Sequence, residues 1–234
     1  MSFLSPLAPL GVGTSNLVES SPGGPWLAGN VWTAFQKLCR DARNDHFVLR
    51  IESGWRSFDR QLSIWNRKAR GELPLLNSES RPLEALRLSP EDRMWTILYW
   101  SALPGTSRHH WGSDLDVVDA AAIPPGYEVQ LVPVEFGDRG PFSRFNVWLQ
   151  KRIAKDQACG FFRPFLDGAG GVQPEPWHLS HKITAAHFAE GFDAAILRQH
   201  LESSDMELLG PVLDNLPEIL RRYVYPYFPQ GLHP

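Results

Sequence analysis

Apolar positions recur at helical spacing between Leu27 and Ala42, where Val31, Phe35, Leu38 and Ala42 would line one face of an amphipathic helix. From Phe47 to Ile51 the pattern changes to β-type alternation and stops at the Ser53-Gly54 turn signal. Ser57 can cap the next helix, which carries Phe58, Gln61, Leu62 and Trp65 and ends at Gly71. Ser89-Pro90-Glu91-Asp92 marks another start: a capping hydroxyl, proline at the first helical position, then acids that suit the positive helix end. That helix runs through Trp95, Leu98 and Tyr99 towards Ala102. Asp114 to Val118 reads as a strand, and the connection from Pro124 to Phe142 as holding a short strand at Glu128 to Val134. Phe145 to Ala158 is helical with Gly160 as its stop, and Trp177 to Lys182 is a further short strand. Thr184 to His200 and Leu216 to Tyr223 are helical again. Short strands in mixed order, without regular βαβ alternation, predict an α+β fold.

Residues 1–26, rich in Ser, Pro and Gly, read as an extended arm on the surface. Residues 27–234 read as a single domain with a helical C-terminal extension from about residue 184. At 234 residues the chain can bury a substantial core. A net charge of −3 and a pI near 6.2 give no basic field for a phosphate backbone, which argues against a nucleic-acid partner. No apolar run is long enough to span a bilayer. No Lys or Arg precedes the first apolar residues, so the N-terminus does not read as a secretory signal. The two cysteines, Cys39 and Cys159, are too few for a disulfide scaffold and lie outside any Cys-x-x-Cys pattern. They read as free thiols, with one disulfide as the alternative in an exported protein.

The chemistry concentrates in Ser107-Arg108-His109-His110-Trp111-Gly112-Ser113-Asp114-Leu115-Asp116 and, further along, Glu175-Pro176-Trp177-His178. A catalytic zinc takes three nitrogen or oxygen ligands and keeps a fourth position for water. His109 on a loop, Gly112 at a sharp turn and Asp116 on the following strand supply two of them, and His178 the third. Asp114 and Asp116 share a strand face, so Asp114 is either a competing ligand or the acceptor of a hydrogen bond from a liganding imidazole. Pro176 restricts Glu175 to an extended conformation, which suits a base more than a ligand. His110, His181, His187 and His200 read as ordinary hydrogen-bonded residues.

These residues resemble the LAS metallopeptidases, and among them the VanY-type D-alanyl-D-alanine carboxypeptidases. The pattern Ser-x-His-x-x-Gly-x-Ala-x-Asp followed by Glu-x-x-His is met by Ser107, His109, Gly112, Asp116, Glu175 and His178, with Asp114 standing in place of Ala. Ser53-Gly54-Trp55-Arg56-Ser57 looks like the stretch that precedes the zinc motif in these peptidases. The resemblance implies a small antiparallel sheet that carries the site, flanked by helices, and one zinc ion held by His109, Asp116 and His178. It makes Glu175 the base and proton carrier, and Arg56 the oxyanion partner. Ser107 and Gln61 are the candidates for holding the substrate. Trp55, Trp111 and Trp177 are candidates for the cleft wall, while Trp65, Trp95, Trp100 and Trp148 read as core. The implied activity is removal of the terminal D-Ala from peptidoglycan stem peptides by an exported monomer. A cell-wall endopeptidase, a D-Ala-D-Ala dipeptidase and a zinc-containing binding module without turnover are the alternatives.

Overall fold

The computed structural model describes residues 5–13, 17–166 and 170–228. Its N-terminal part is not a surface arm. Ala8–Leu10 form a 3-10 turn that buries Pro9 and Leu10, and β1 (Leu17–Glu19) pairs antiparallel with β2 (Trp26–Ala28). Gly11 passes so close to the His110 ring and the Phe58 amide that a Cβ would collide with both, and its φ of +84° suits glycine alone. Its carbonyl accepts from the Phe58 N–H at 3.1 Å. The Ser, Pro and Gly content that suggested an arm serves tight turns instead. Positions 1–4 and 14–16 of that expected arm lie outside the described residues.

Helix α1 (Gly29–Asn44) buries Val31, Phe35, Leu38 and Ala42 as their spacing predicts. β3 (Leu49–Ser53) leads to α2 (Phe58–Ala69), where the Ser57 hydroxyl accepts from the Arg60 N–H at 3.1 Å. A small hairpin, β4 (Leu75–Leu76) with β5 (Pro82–Leu83), precedes α3 (Pro90–Trp100), which Ser89 caps in the same way. β6 (Asp114–Asp119), α4 (Ser143–Ala154), β7 (Phe161–Phe162) and β8 (His178–His181) follow. The chain then runs through α5 (Lys182–Glu190), α6 (Ala194–Glu202), α7 (Leu209–Asp214) and α8 (Leu216–Tyr223). The main sheet is antiparallel in the order β3-β6-β8-β7. Helices flank it, so the fold is α+β.

Two expected elements differ in kind, and α4 ends at Ala154, short of the expected Ala158 and Gly160 stop. Glu128 to Val134 is not a strand, because the buried Glu135 carboxylate accepts from the Gln130 N–H at 2.9 Å and the Val132 N–H at 3.1 Å. Those amides are therefore lost to any ladder, and Pro133 opens a 3-10 turn to Phe136. The segment from Thr184 to His200 is two helices, separated at Gly191, with the Asp193 carboxylate capping the second through the Ala195 and Ile196 amides.

Two hydrophobic cores result. The sheet-side core packs Leu115, Val117 and Leu179 against Val31, Phe35 and Leu38 of α1 and Phe145 and Leu149 of α4. The helical core joins Phe58, Trp65, Ile97 and Trp111 to Leu197, Leu201, Val212, Ile219 and Val224 of the C-terminal helices. Each large aliphatic or aromatic side chain buried this way contributes roughly 1.5–3 kcal/mol. Cys39 and Cys159 are free and half-buried.

Candidate metal centre

The β6–β8 register sets Asp116 opposite His178 and Asp114 opposite Ser180. His109 arrives from outside the sheet, on a 3-10 turn spanning Arg108–Trp111. Gly112 ends that turn at φ +65°, where a Cβ would strike the Leu17 side chain at 2.7 Å. The turn therefore reverses the chain into β6 and leaves the three side chains converging. His109, Asp116 and His178 are buried, and one ligand atom from each lies within 4.8 Å of the others.

The hydrogen bonds around this group direct specific atoms inward. His109 uses Nδ1 on the Gly54 carbonyl at 2.9 Å, which leaves Nε2 facing Asp116 Oδ2 at 3.4 Å. His178 uses Nε2 on Asp114 Oδ1 at 2.9 Å, which leaves Nδ1 facing Asp116 Oδ1 at 3.3 Å and Glu175 Oε2 at 3.1 Å. Asp116 Oδ1 is buried without a hydrogen-bond partner. Two imidazole nitrogens and a carboxylate that face one another without hydrogen-bonding form a donor set that fits a divalent metal.

The electrostatics agree. Burial alone would raise the Asp116 carboxyl, but His109 and His178 outweigh it and hold it well below the ordinary range. Burial alone would lower the His178 imidazole, yet the carboxylates of Asp114, Asp116 and Glu175 push it well above its usual value. Arg108 is the counter-charge of Asp114, so Asp116 and Glu175 are the acids beside this imidazole that a bound cation would neutralise.

Arg56 reaches this group from the loop before α2. Its backbone N–H donates to the His109 carbonyl at 3.1 Å, and its carbonyl is 2.6 Å from His110 Nδ1. The guanidinium donates to Gln61 Oε1 at 2.7 Å and to Ser53 Oγ at 3.2 Å. Burial lowers its pKa, opposed by Asp116 and Glu175. Gln61 is not placed to hold substrate. It is fully buried, and its amide also donates to the Ala102 carbonyl at 2.7 Å. Every polar atom of Gln61 is thus engaged, and the residue orients Arg56 instead.

A cavity of about 220 Å³ opens on the group, lined by Arg56, Ser107, His109, Asp116, Glu175 and His178. Ser107 makes no cap bond to its own turn. The remaining wall mixes aliphatic side chains with six aromatic ones: Trp100, Phe165, Trp177, Tyr223, Tyr227 and Phe228. Trp55 and Trp111 do not contribute to it. Trp111 is buried in the helical core, its indole N–H donating to the Pro9 carbonyl at 3.0 Å, and Trp55 donates to the His110 carbonyl. Trp100, Tyr223, Tyr227 and Phe228 carried no sequence signal for this role. Lys68, also unsuspected, lines an adjoining cavity together with Trp100 and Leu131, and burial, reinforced by Arg56, pushes its ammonium down to about 8. His110, His181 and His200 are packed away from the metal group: His181 Nδ1 lies 2.9 Å from Thr184 Oγ1, and His200 meets the Phe58 ring edge-on.

The chain belongs to the VanY family: residues 25–183 match its model, described as D-alanyl-D-alanine carboxypeptidase. That places it among the LAS peptidases. An uncharacterized protein of Haemophilus influenzae is 27% identical over 124 residues, covering 52% of this chain and 92% of that protein. A second uncharacterized protein of that organism is 33% identical over 88 residues, covering 38% of this chain and 60% of its own length. The fold is shared with VanYB in complex with D-Alanine-D-Alanine, with a TM-score of 0.53 and 18% identity over 83% of this chain and 92% of that one. It is shared too with a mutant vancomycin-resistance D,D-pentapeptidase VanY in complex with Zn(II), with a TM-score of 0.51 and 18% identity over 84% and 88% of the two chains.

Proposed function

We propose that the chain is a zinc-dependent D-alanyl-D-alanine carboxypeptidase that hydrolyses the terminal D-Ala of peptidoglycan stem peptides. The observation that carries this reading is the convergence of His109 Nε2, the Asp116 carboxylate and His178 Nδ1 on the wall of a cavity that Glu175 and Arg56 also line. The family description and the D-Alanine-D-Alanine bound by VanYB support the choice of substrate. His109, Asp116 and His178 would hold the zinc ion, which would supply Lewis acidity to the scissile carbonyl and lower the pKa of water to roughly 7.

The protein's own groups complete the reaction. Glu175, its Oε2 turned towards the metal group, takes a proton from the attacking water and delivers it to the leaving amine. Water adds to the carbonyl carbon, the C–N bond breaks, and the products are a shortened peptide and free D-Ala. Arg56, fixed by Gln61 and Ser53, stabilises the negative oxygen of the tetrahedral intermediate. Ser107 offers a hydroxyl to the terminal carboxylate. Peptidoglycan lies outside the cytoplasmic membrane, so the reading implies export.

Mass spectrometry of defined muropeptides incubated with the zinc-loaded protein tests this. Loss of one terminal alanine is expected, slowed about 10²- to 10⁴-fold in Glu175→Gln. Separation of cross-linked dimers would make the protein an endopeptidase, and cleavage of free D-Ala-D-Ala alone a dipeptidase. Bound zinc with no turnover in either form would leave a binding module.

A further inference from the structure

Asp114 occupies the place where the family pattern carries alanine, and no part of the reaction above uses it. It is fully buried and accepts from four donors. Arg108 Nε and His178 Nε2 each lie 2.9 Å from its Oδ1, while the hydroxyls of Ser113 and Ser180 reach Oδ2. Arg108 is itself caged. It donates Nη1 to the Tyr227 carbonyl at 2.6 Å and Nη2 to Ser180 Oγ at 2.5 Å, and its guanidinium packs 4.7 Å from the centre of the Trp111 ring. A line of direct contacts therefore runs from His178 through Asp114 and Arg108 to the C-terminal turn Tyr225–Tyr227. Tyr227 and Phe228 line the cavity, and both lie beyond the family match at residues 25–183.

We propose that Asp114 and Arg108 are positioning residues of this site: Asp114 holds His178 with Nδ1 turned to the metal, and Arg108 ties that arrangement to the C-terminal turn that walls the cleft. The inference rests on the zinc reading above. An imidazole that ligates through Nδ1 must keep its proton on Nε2, and a carboxylate there fixes both tautomer and ring plane while making the ligand more basic. A second acid this close to Asp116 needs a compensating charge, which Arg108 supplies. Alanine at 114 would leave His178 Nε2 without this acceptor and Arg108 buried without its counter-charge. The Arg108 bond to the Tyr227 carbonyl extends the same network to the wall. A site loaded with metal and a well-seated C-terminal turn then favour each other.

Three measurements on the full chain test this without recourse to turnover. In the zinc-loaded protein, long-range ¹H–¹⁵N spectra should show His178 protonated at Nε2 and metal-bound at Nδ1; the reverse assignment overturns the proposal and needs no variant to fold. Competition with a chromophoric chelator should show zinc affinity about 10- to 100-fold weaker in Asp114→Asn. Ser180→Ala removes a partner of both Asp114 and Arg108 but leaves His178 its acceptor, and should bind zinc as the parent does. An equal loss in both variants, or none in Asp114→Asn, overturns the proposal. Zinc should also slow amide exchange at residues 224–228 in the parent, and an unchanged rate removes Arg108's part. If instead the parent binds no zinc, or binds it as well with His109→Ala, the zinc reading fails rather than this one.

Discussion

The sheet-side core and the helical core meet at the cleft and contribute different things to it. Asp116 and His178 are fixed by backbone pairing between adjacent strands, with Leu115 and Leu179 anchoring the same strands in the core beneath. Arg56 and the aromatic wall are set by side-chain packing among segments far apart in the chain: α2, the loop after α3, and α8 with its following turn. A ladder permits only whole-residue steps, and one step would turn both β6 acids to the opposite face. Packing can yield by fractions of an ångström. The metal should therefore respond in an all-or-none manner to changes on the sheet side, and turnover should respond in grades to changes on the helical side. Asp116→Ala tests the first half and has the largest expected effect: loss of stoichiometric zinc by elemental analysis and loss of turnover with it, by at least about a thousandfold.

Arg56→Ala tests the second half. The variant should keep its zinc, because Arg56 is no ligand, while kcat falls about 10²- to 10³-fold. Gln61→Ala should follow in the same direction by a smaller factor, since Gln61 acts only through the Arg56 guanidinium. Loss of zinc in Arg56→Ala would show that the two sides are not separable.

This division also explains what the sequence disclosed. His109, Asp116 and His178 were legible because each sits in a short motif, with the Gly112 turn between His109 and Asp116, and Asp116 and His178 near the start of short strand runs. Ser57 and Ser89 were legible as caps for the same reason. Gln61 was misread because nothing in its neighbourhood reveals that the Ala102 carbonyl, on another segment, occupies its amide. Trp100 looked like core from its helical spacing, yet it faces the cavity; Tyr223, Tyr227 and Phe228 reach it only because the C-terminal helices fold back. The strand expected at Glu128 to Val134 failed because one buried carboxylate, Glu135, claimed two of its amides. For Gln61 and the C-terminal wall a long-range partner decided, and for Glu128 to Val134 a carboxylate at most five residues away from the amides it takes; periodicity registers neither.

A matched pair of core truncations sharpens the comparison at lower cost. Leu197 of α6 and Leu179 of β8 are both fully buried, one in each core. Either change to alanine should lower unfolding free energy by about 2–5 kcal/mol, measured by urea denaturation of the zinc-free protein. Leu179 lies between His178 and Ser180 on the strand that presents the ligand, so Leu179→Ala should also weaken zinc binding. Leu197→Ala should not. Equal zinc affinity in both variants would mean that the sheet core has no special hold on the metal.

The smallest effect concerns His110, which is buried between Gly11, the Arg56 loop and Gly105. Its ring links the Arg56 carbonyl to the Gly105 N–H, and burial pushes its pKa down to about 3. Above pH 6.5 the ring is neutral whether the chain is folded or not, so it adds no pH dependence there. Between about 6.5 and 3 the unfolded chain takes a proton that the folded one refuses, and stability must fall as pH falls, by at most about 1.4 kcal/mol per pH unit. His178, raised in the metal-free protein, has the opposite sign and a different window. Its contribution is complete below 6.5 and is lost as pH rises through its folded value. Zinc-free protein studied between pH 6.5 and 4.5 therefore reports on His110 together with His181, whose imidazole pKa burial also lowers, since the buried acids with depressed values begin to titrate only lower. His110→Gln removes the titrating ring and should flatten the slope in that interval, even at a cost in absolute stability. An unchanged slope would mean that His110 does take a proton in the folded protein, and that its bond from the Gly105 N–H opens in mild acid.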